Sequence, residues 1–231
     1  MRLGVLSDIH ANLPALEAAL EALRAEGVDE VLVLGDMVGY GPLPRQVVRR
    51  LMQEGFPAIA GAWDLRVAYP VDGAVPEGLG KATLAWTRSQ LGERELAYLR
   101  SLRLSHRRTY GATRLVAFHG KPGCPEEHLD LLGPAREFLA LLERCSAKVL
   151  LLGGCHLPLA RRVGAGLVAD PGSVGLSLSG ESGADALLLD TDTLEARFLK
   201  VPYDLGPVLF DLRAWGLPPA LEKVYRTGRF H

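Results

Sequence analysis

Four short stretches place metal-binding and proton-transfer side chains at the ends of apolar runs: Asp8-Ile9-His10, Gly35-Asp36, His119-Gly120 and His156-Leu157-Pro158. Two carboxylates and three imidazoles make a mixed oxygen and nitrogen donor set, which suits borderline divalent ions such as Mn, Fe or Zn. At a strand end, residues i and i+2 point the same way, so Asp8 and His10 are expected to converge. The glycines of Gly39-Tyr40-Gly41-Pro42 let the chain turn close to a ligand. Singly, an Asp at a strand end is a turn former and a His after an apolar run is an edge residue. His106, His128 and His231 are read in that ordinary way. What sets the other five apart is their joint order, which describes a site outside the carboxyl edge of a sheet.

The elements that position them follow from periodicity. RLGVLSD, EVLVLGD, FPAIAG, TRLVAFHG and KVLLLGGCH read as buried strands. Asn12 followed by Pro14 caps a helix carrying Leu13, Leu16, Leu20 and Leu23, which Gly27 ends. A second helix starts near Pro44 and ends at Gly55; GPAREFLALLERCS is another. This β-α-β-α-β order predicts parallel neighbours with helices on the sheet's face. The middle, roughly Ala68 to Tyr110, reads as mostly helical. ARRVGAGLVAD, DALLLDTD and LEARFLKV read as strands, with Thr191 and Asp192 in a hairpin turn. AWGLPPALEKVYRTGR reads as a short helical tail that covers its own sheet. With no repeats and no low-complexity linker, residues 1–231 read as one α/β domain.

The chain has 231 residues, is 48% apolar and has a formal net charge of -1, so it offers no basic footprint for nucleic acid. Cys124, Cys145 and Cys155 show no disulfide spacing, which fits a reduced, cytoplasmic compartment. MRLGVLSDIH reaches a charge too early for a signal peptide, and no apolar run approaches a membrane span. Abundant arginine and a single asparagine, Asn12, suit a heat-loving source.

The stretches SDIHANLPALEA, LGDMVGYGPLP, FHGKPG, GGCHLP and DPGSVG, in this order between residues 7 and 175, resemble the calcineurin-like metallophosphoesterases of the small bacterial and archaeal kind. The resemblance implies two packed mixed β-sheets flanked by helices, and a pair of metal ions bridged by an Asp. It matches Asp8, His10, Asp36 and His156 to the ligands of the first ion, with Asp36 as the bridge, and His119 to a ligand of the second. It implies a phosphate ester or nucleotide as the small-molecule partner.

Two stretches depart from the family pattern. Where the family has a loop ending Gly-Asn-His-Asp, this chain reads Gly61-Ala62-Trp63-Asp64, and where it has Gly-His-Thr-His, this chain reads Gly153-Gly154-Cys155-His156. The resemblance makes the missing Asn and His ligands of the second ion, and the His replaced by Trp63 the group that protonates the leaving group. Asp170 stands for the Asn of an Asn-Pro-Gly-Ser turn. The second ion is therefore expected to be weak or absent and Cys155 to turn away from the metals, while Trp63 adds bulk that either partly occupies the phosphate pocket or packs away from it. Two functions follow: a phosphoesterase with a divergent, mononuclear centre, or a degenerate relative that binds metal, phosphate or nucleotide without turnover. Oligomeric state is left open.

Overall fold

Alternation within the apolar runs decides how the chain layers. In the computed structural model, which describes residues 1–69 and 78–230, β1 (Arg2–Leu6) sends Leu3 and Val5 to one side and Leu6 to the other. β1 runs parallel to β2 (Glu30–Val33) and antiparallel to β8 (Ala184–Asp190), which pairs with β9 (Ala196–Val201). This gives a four-stranded sheet in the order β2-β1-β8-β9.

The second sheet contains β3 (Ser105–Tyr110), β4 (Thr113–His119), β5 (Val149–Gly153), β6 (Pro158–Val163) and β7 (Gly166–Pro171), in the order β3-β4-β5-β7-β6. β4, β5 and β7 are parallel neighbours, and the two outer pairings are antiparallel. Leu3, Val5, Leu32, Leu34, Leu187 and Leu189 of the first sheet bury against Leu115, Ala117, Val149, Leu151 and Leu167 of the second. Each buried Leu or Val among them contributes about 1.5–3 kcal/mol. This is the pair of packed mixed sheets that the motifs imply.

Helices cover the outer faces. α1 (Leu13–Ala25) and α2 (Pro44–Glu54) bury Leu16, Leu20, Leu23, Val47 and Leu51 against the first sheet. α3 (Ala62–Ala68), α4 (Leu79–Ser89) and α5 (Glu93–Ser101) follow, and α6 (Ala135–Cys145) packs Phe138 and Leu142 on the second sheet. α7 (Leu205–Ala214) and α8 (Ala220–Thr227) close the chain around Leu176.

The structure differs from the sequence reading in five places. FPAIAG forms only isolated pairs, Val33 with Ala58 and Ile59 with Arg103, because Pro57 has no N–H to extend a ladder. Residues 105–110 of the helical middle form edge strand β3, whose arginines stack over Phe118 and Tyr110 instead of facing a core. ARRVGAGLVAD splits into β6 and β7 around Gly164, whose φ of 58° suits a hairpin turn. α7 was not anticipated. The tail is helical only from Ala220, after Pro218 and Pro219. Residues 70–77 of the middle segment and His231 lie outside the described residues.

Candidate metal centre

β1, β2, β4 and β5 end at one edge, and of the site residues only His119 lies within a strand, as the last residue of β4. β1 and β2 stop short of Asp8, His10 and Asp36, and β5 stops short of His156. Those residues have φ of 55°, 45°, 51° and 59°, in the left-handed region that costs a non-glycine residue about 1–3 kcal/mol. Ala11 and Tyr40 share it; elsewhere among the described non-glycine residues only Ser146 and Leu194 do. The strain is held by backbone bonds from Asp8 N to Gly35 O (3.0 Å), His10 N to Asp36 O (3.0 Å) and Gly175 N to Asp8 O (3.0 Å). The Asp8–His10 convergence is real, but tight turns produce it.

The donor atoms are prepared one by one. Asp8 accepts the Gly154 N–H at Oδ2 (2.9 Å), leaving Oδ1 with no hydrogen-bond partner. Asp36 accepts the Trp63 N–H at Oδ1 (2.8 Å), leaving Oδ2. The Nδ1 atoms of His10, His119 and His156 face the carbonyls of Val38 (3.2 Å), Leu34 (2.7 Å) and Leu176 (2.7 Å). A ring that donates from Nδ1 turns a lone pair inward at Nε2, the arrangement of histidines that ligate metals. His10 Nε2 and His156 Nε2 meet at 3.2 Å; Asp8 Oδ1 lies 3.7 Å from the first and 3.3 Å from the second. His119 Nε2 lies 3.4 Å from Asp36 Oδ2 and has no hydrogen-bond partner. Two donor groups result, Asp8 with His10 and His156, and Asp8 with Asp36 and His119, each with its ligand atoms within 4.8 Å of one another.

The electrostatics favour a cation. Burial pushes the His119 imidazole down, but the adjoining Asp36 carboxylate outweighs it and drives the ring up to about 10. Burial likewise opposes protonation of His156, and Asp8 drives it up to about 9. Asp8 and Asp36 stay below the usual carboxylate range despite burial, because these imidazoles face them. His10 Nε2 and His156 Nε2 share a hydrogen bond at 3.2 Å, whereas buried Asp8 Oδ1 and His119 Nε2 have no hydrogen-bond partner, a costly arrangement unless positive charge sits among them. The residues therefore fit a divalent ion.

The surroundings hold this arrangement in place. Asp64 accepts N–H bonds from Gly61 (2.9 Å), Met37 (2.9 Å) and Val38 (3.3 Å), clamping the turn after Asp36 to the start of α3. Burial and then the Asp36 charge push its carboxyl up to about 7. Asp170 bonds Gly172 N (2.9 Å) in its turn and is pushed up to about 7 by burial and by Asp8. Above the centre lies a cavity of about 480 Å³ lined by Tyr40, His128, Leu129, Cys155, Leu178 and Phe230, among others.

The match to a calcineurin-like phosphoesterase superfamily domain runs over residues 1–194. The chain belongs to that superfamily. A protein of Pyrococcus horikoshii OT3 is 28% identical, with 98% of each chain covered and a TM-score of 0.88. A metallophosphoesterase of Sphaerobacter thermophilus is also 28% identical, with 99% of each chain covered and a TM-score of 0.80. The phosphodiesterase YfcE of Escherichia coli K12 is 26% identical over 202 residues, covering 84% of this chain and 90% of its own. The superfamily implies a divalent metal, and the donor groups above are where this chain could hold it.

The departures from the superfamily pattern can now be placed. Trp63 takes, of the two orientations the sequence leaves open, the one packed away from the pocket. It is 6% exposed, edge-on to Tyr40 at 4.8 Å, under the Arg66 guanidinium at 5.1 Å, and absent from the cavity lining. Cys155 donates its thiol to Leu157 O at 3.3 Å and belongs to neither donor group; burial and Asp170 push its pKa up. His128, read as an ordinary edge residue, lines the cavity, with its ring centroid 6.3 Å from that of His119. Burial and then the His119 charge push His128 down. Nothing in the loop around Pro125-Glu126-Glu127-His128 marks it by spacing. Asp64 left a trace, an acid three residues past Gly61 at a helix start. Among the described residues no helix is long and apolar enough to cross a membrane.

Proposed function

We propose that this chain is a divalent-metal-dependent phosphoesterase acting on phosphodiesters, with an ion held by Asp8, His10, Asp36 and His156. The observation that carries this is the convergence of His10 Nε2, His156 Nε2 and Asp8 Oδ1 at 3.2–3.7 Å, beneath an open cavity. A bound ion would offset charge on a phosphoryl oxygen and lower the pKa of an attacking water. The chain's own part is to aim three Nε2 atoms inward by tying each Nδ1 to a backbone carbonyl, and to keep both carboxylates ionised. A second ion position at Asp36 and His119 has fewer protein donors and is the weaker. Residues 1–231 act as one unit in the cytosol.

Substrate class follows from the lining. Tyr40, Leu129, Leu176, Leu178 and Phe230 give the cavity apolar and aromatic walls, and its charged residue is Asp130. No Lys or Arg is among the described lining residues. A singly charged diester with an apolar or aromatic group suits such walls better than a polyphosphate, whose additional charges would meet no Lys or Arg beyond the ion. With Trp63 packed away, no side chain at position 63 protonates a leaving group, a loss that typically costs about 10²–10⁴-fold. Diesters with acidic leaving groups should therefore be the best substrates.

The test is hydrolysis of bis(p-nitrophenyl) phosphate by metal-stripped protein titrated with Mn²⁺. Turnover should saturate with Mn²⁺ and fall to background in Asp36→Asn. Folded protein that binds Mn²⁺ yet turns over nothing across a panel of phosphate esters would overturn the hydrolase reading in favour of a binding module.

A further inference from the structure

At Gly154 the rim of the second donor group is occupied by the His128 ring. Gly154 has φ of 100°, and a Cβ built on it would lie 2.6 Å from both Nδ1 and Cε1 of His128 and 3.1 Å from His119 Nε2. The space where a side chain of residue 154 would begin is thus flanked by two imidazoles, set at 79° to each other. His119 Nε2 faces that space with no hydrogen-bond partner, 3.4 Å from Asp36 Oδ2.

The loop that presents His128 is tied down on both sides. Lys121 N–H donates to Glu127 O at 2.7 Å, Arg66 meets Glu126 at 3.0 Å, and Arg161 donates to Leu131 O at 3.3 Å. Its attachment to Arg66 joins it to α3, whose first turn supplies the N–H that orients Asp36. These contacts hold the loop on both sides of His128 and leave its ring free to turn.

The exposed His128 ring lies outside both donor groups, so ligation requires it to turn inward past Gly154. We infer that His128 turns in as a ligand of the second ion, completing with Asp36 and His119 a position to which residue 154 contributes no side chain. The inference rests on the metal centre proposed above and assigns to a polar loop the donor that the fifth strand lacks. It predicts a two-ion centre whose weaker ion depends on His128.

The test is equilibrium titration of metal-stripped full-length protein with Mn²⁺, read by calorimetry and by electron paramagnetic resonance. Wild type should take up two ions per chain. His128→Ala should keep the tighter ion and weaken the other by at least the roughly 10–100-fold that losing even an outer partner costs. His106→Ala, on β3 beside Tyr110 and away from the centre, should behave as wild type. Uptake of a single ion by wild type would overturn the inference. So would unchanged affinities in His128→Ala, including the case where turnover alone falls and His128 proves to be a proton donor. Two-ion uptake that depends on His128, without turnover of any ester, would uphold this inference while defeating the hydrolase reading.

Discussion

A single methyl group at Gly80 tests whether Trp63 is a packing residue or part of the chemistry. Gly80 lies in the first turn of α4, and a Cβ there would fall inside the van der Waals envelope of Trp63 Cη2 and Cζ2. On the other side of the indole, a Cβ at Gly39 would sit 3.1–3.2 Å from the ring, and Tyr40 closes a third side. The ring has little room to retreat. Replacing glycine by alanine in a helix ordinarily gains about 1 kcal/mol. Overpacking a filled space costs about 1–3 kcal/mol. The clash should win, so Gly80→Ala should lower stability by about 1 kcal/mol, or about 2–4 °C in Tm for a chain of this size.

The sign should reverse once the ring is gone. Trp63→Ala alone should cost about 3–5 kcal/mol, since the side chain is buried. In that background the methyl meets nothing, and Gly80→Ala should raise stability by about 1 kcal/mol. The cycle would then give a coupling of about 2 kcal/mol, within the range for residues in contact. Thermal melts of the four metal-free proteins measure it. Mn²⁺ titration of the same proteins should show the tighter ion retained throughout, because Asp36 is oriented by the main-chain N–H of Trp63 rather than by its indole. If Gly80→Ala is equally stabilising in both backgrounds, the indole does not fill this slot. If Trp63→Ala loses the tighter ion while its Tm barely moves, the side chain belongs to the site and the packing account is wrong.

Three further outcomes follow from the same geometry. Despite burial, Asp36 and Asp8 hold the His119 and His156 imidazoles up to about 10 and about 9, so in metal-free protein at neutral pH both rings carry protons that an entering ion must displace. Mn²⁺ affinity should rise with pH by about tenfold per unit for each displaced proton until those values are passed, with binding enthalpies that follow the ionisation enthalpy of the buffer; affinity flat between pH 6 and 8 would refute this. Asn12 caps α1 by accepting from Ala15 N (3.2 Å) and donates to Gly175 O (3.1 Å) and Tyr203 Oη (2.9 Å). Asn12→Ala should cost about 1 kcal/mol for the cap and about 1–3 more for the orphaned partners, with Asn12→Asp falling between, measured by urea unfolding. A Cβ at Gly61 would collide with the backbone N and Oδ1 of Asp36, so Gly61→Ala should lose Mn²⁺ affinity at both positions while its circular dichroism stays native.

How much of this was legible in the sequence depended on whether the information was local. Strands buried on both faces betray themselves as apolar runs, and Asn12 with Pro14, Pro44 and Gly55 marked helix ends that the structure keeps. β3 was missed because an edge strand needs no apolar periodicity when Arg107 and Arg108 lie over Phe118 and Tyr110. The five candidate donors were picked out by residue type and order, and the structure brings their side chains together in two groups. The means of their convergence was not legible, since left-handed φ at Asp8, His10, Asp36 and His156 is imposed by bonds from other strands and turns.

The departures at Ala62, Trp63 and Gly154 read in sequence as losses, because a sequence displays a missing donor but not what occupies the space around it. A centre that had merely decayed would leave its altered residues in a framework still shaped for the old ones, with voids beside them and clashes where bulk was added. Here Gly80 and Gly39 admit the indole of Trp63, and the space beside Gly154 is flanked by His128 on a loop anchored through Arg66 to α3. Asp64 still clamps the Asp36 turn, and both carboxylates still spend one oxygen on a backbone N–H while the other faces the imidazoles. The altered residues are thus packed without void or clash, around candidate donors held in strained conformations at about 1–3 kcal/mol each. If that is correct, restoring the superfamily pattern with Trp63→His alone should destabilise the protein, because it opens a void against Gly80, and should yield far less than the about 10²–10⁴-fold gain of a positioned acid.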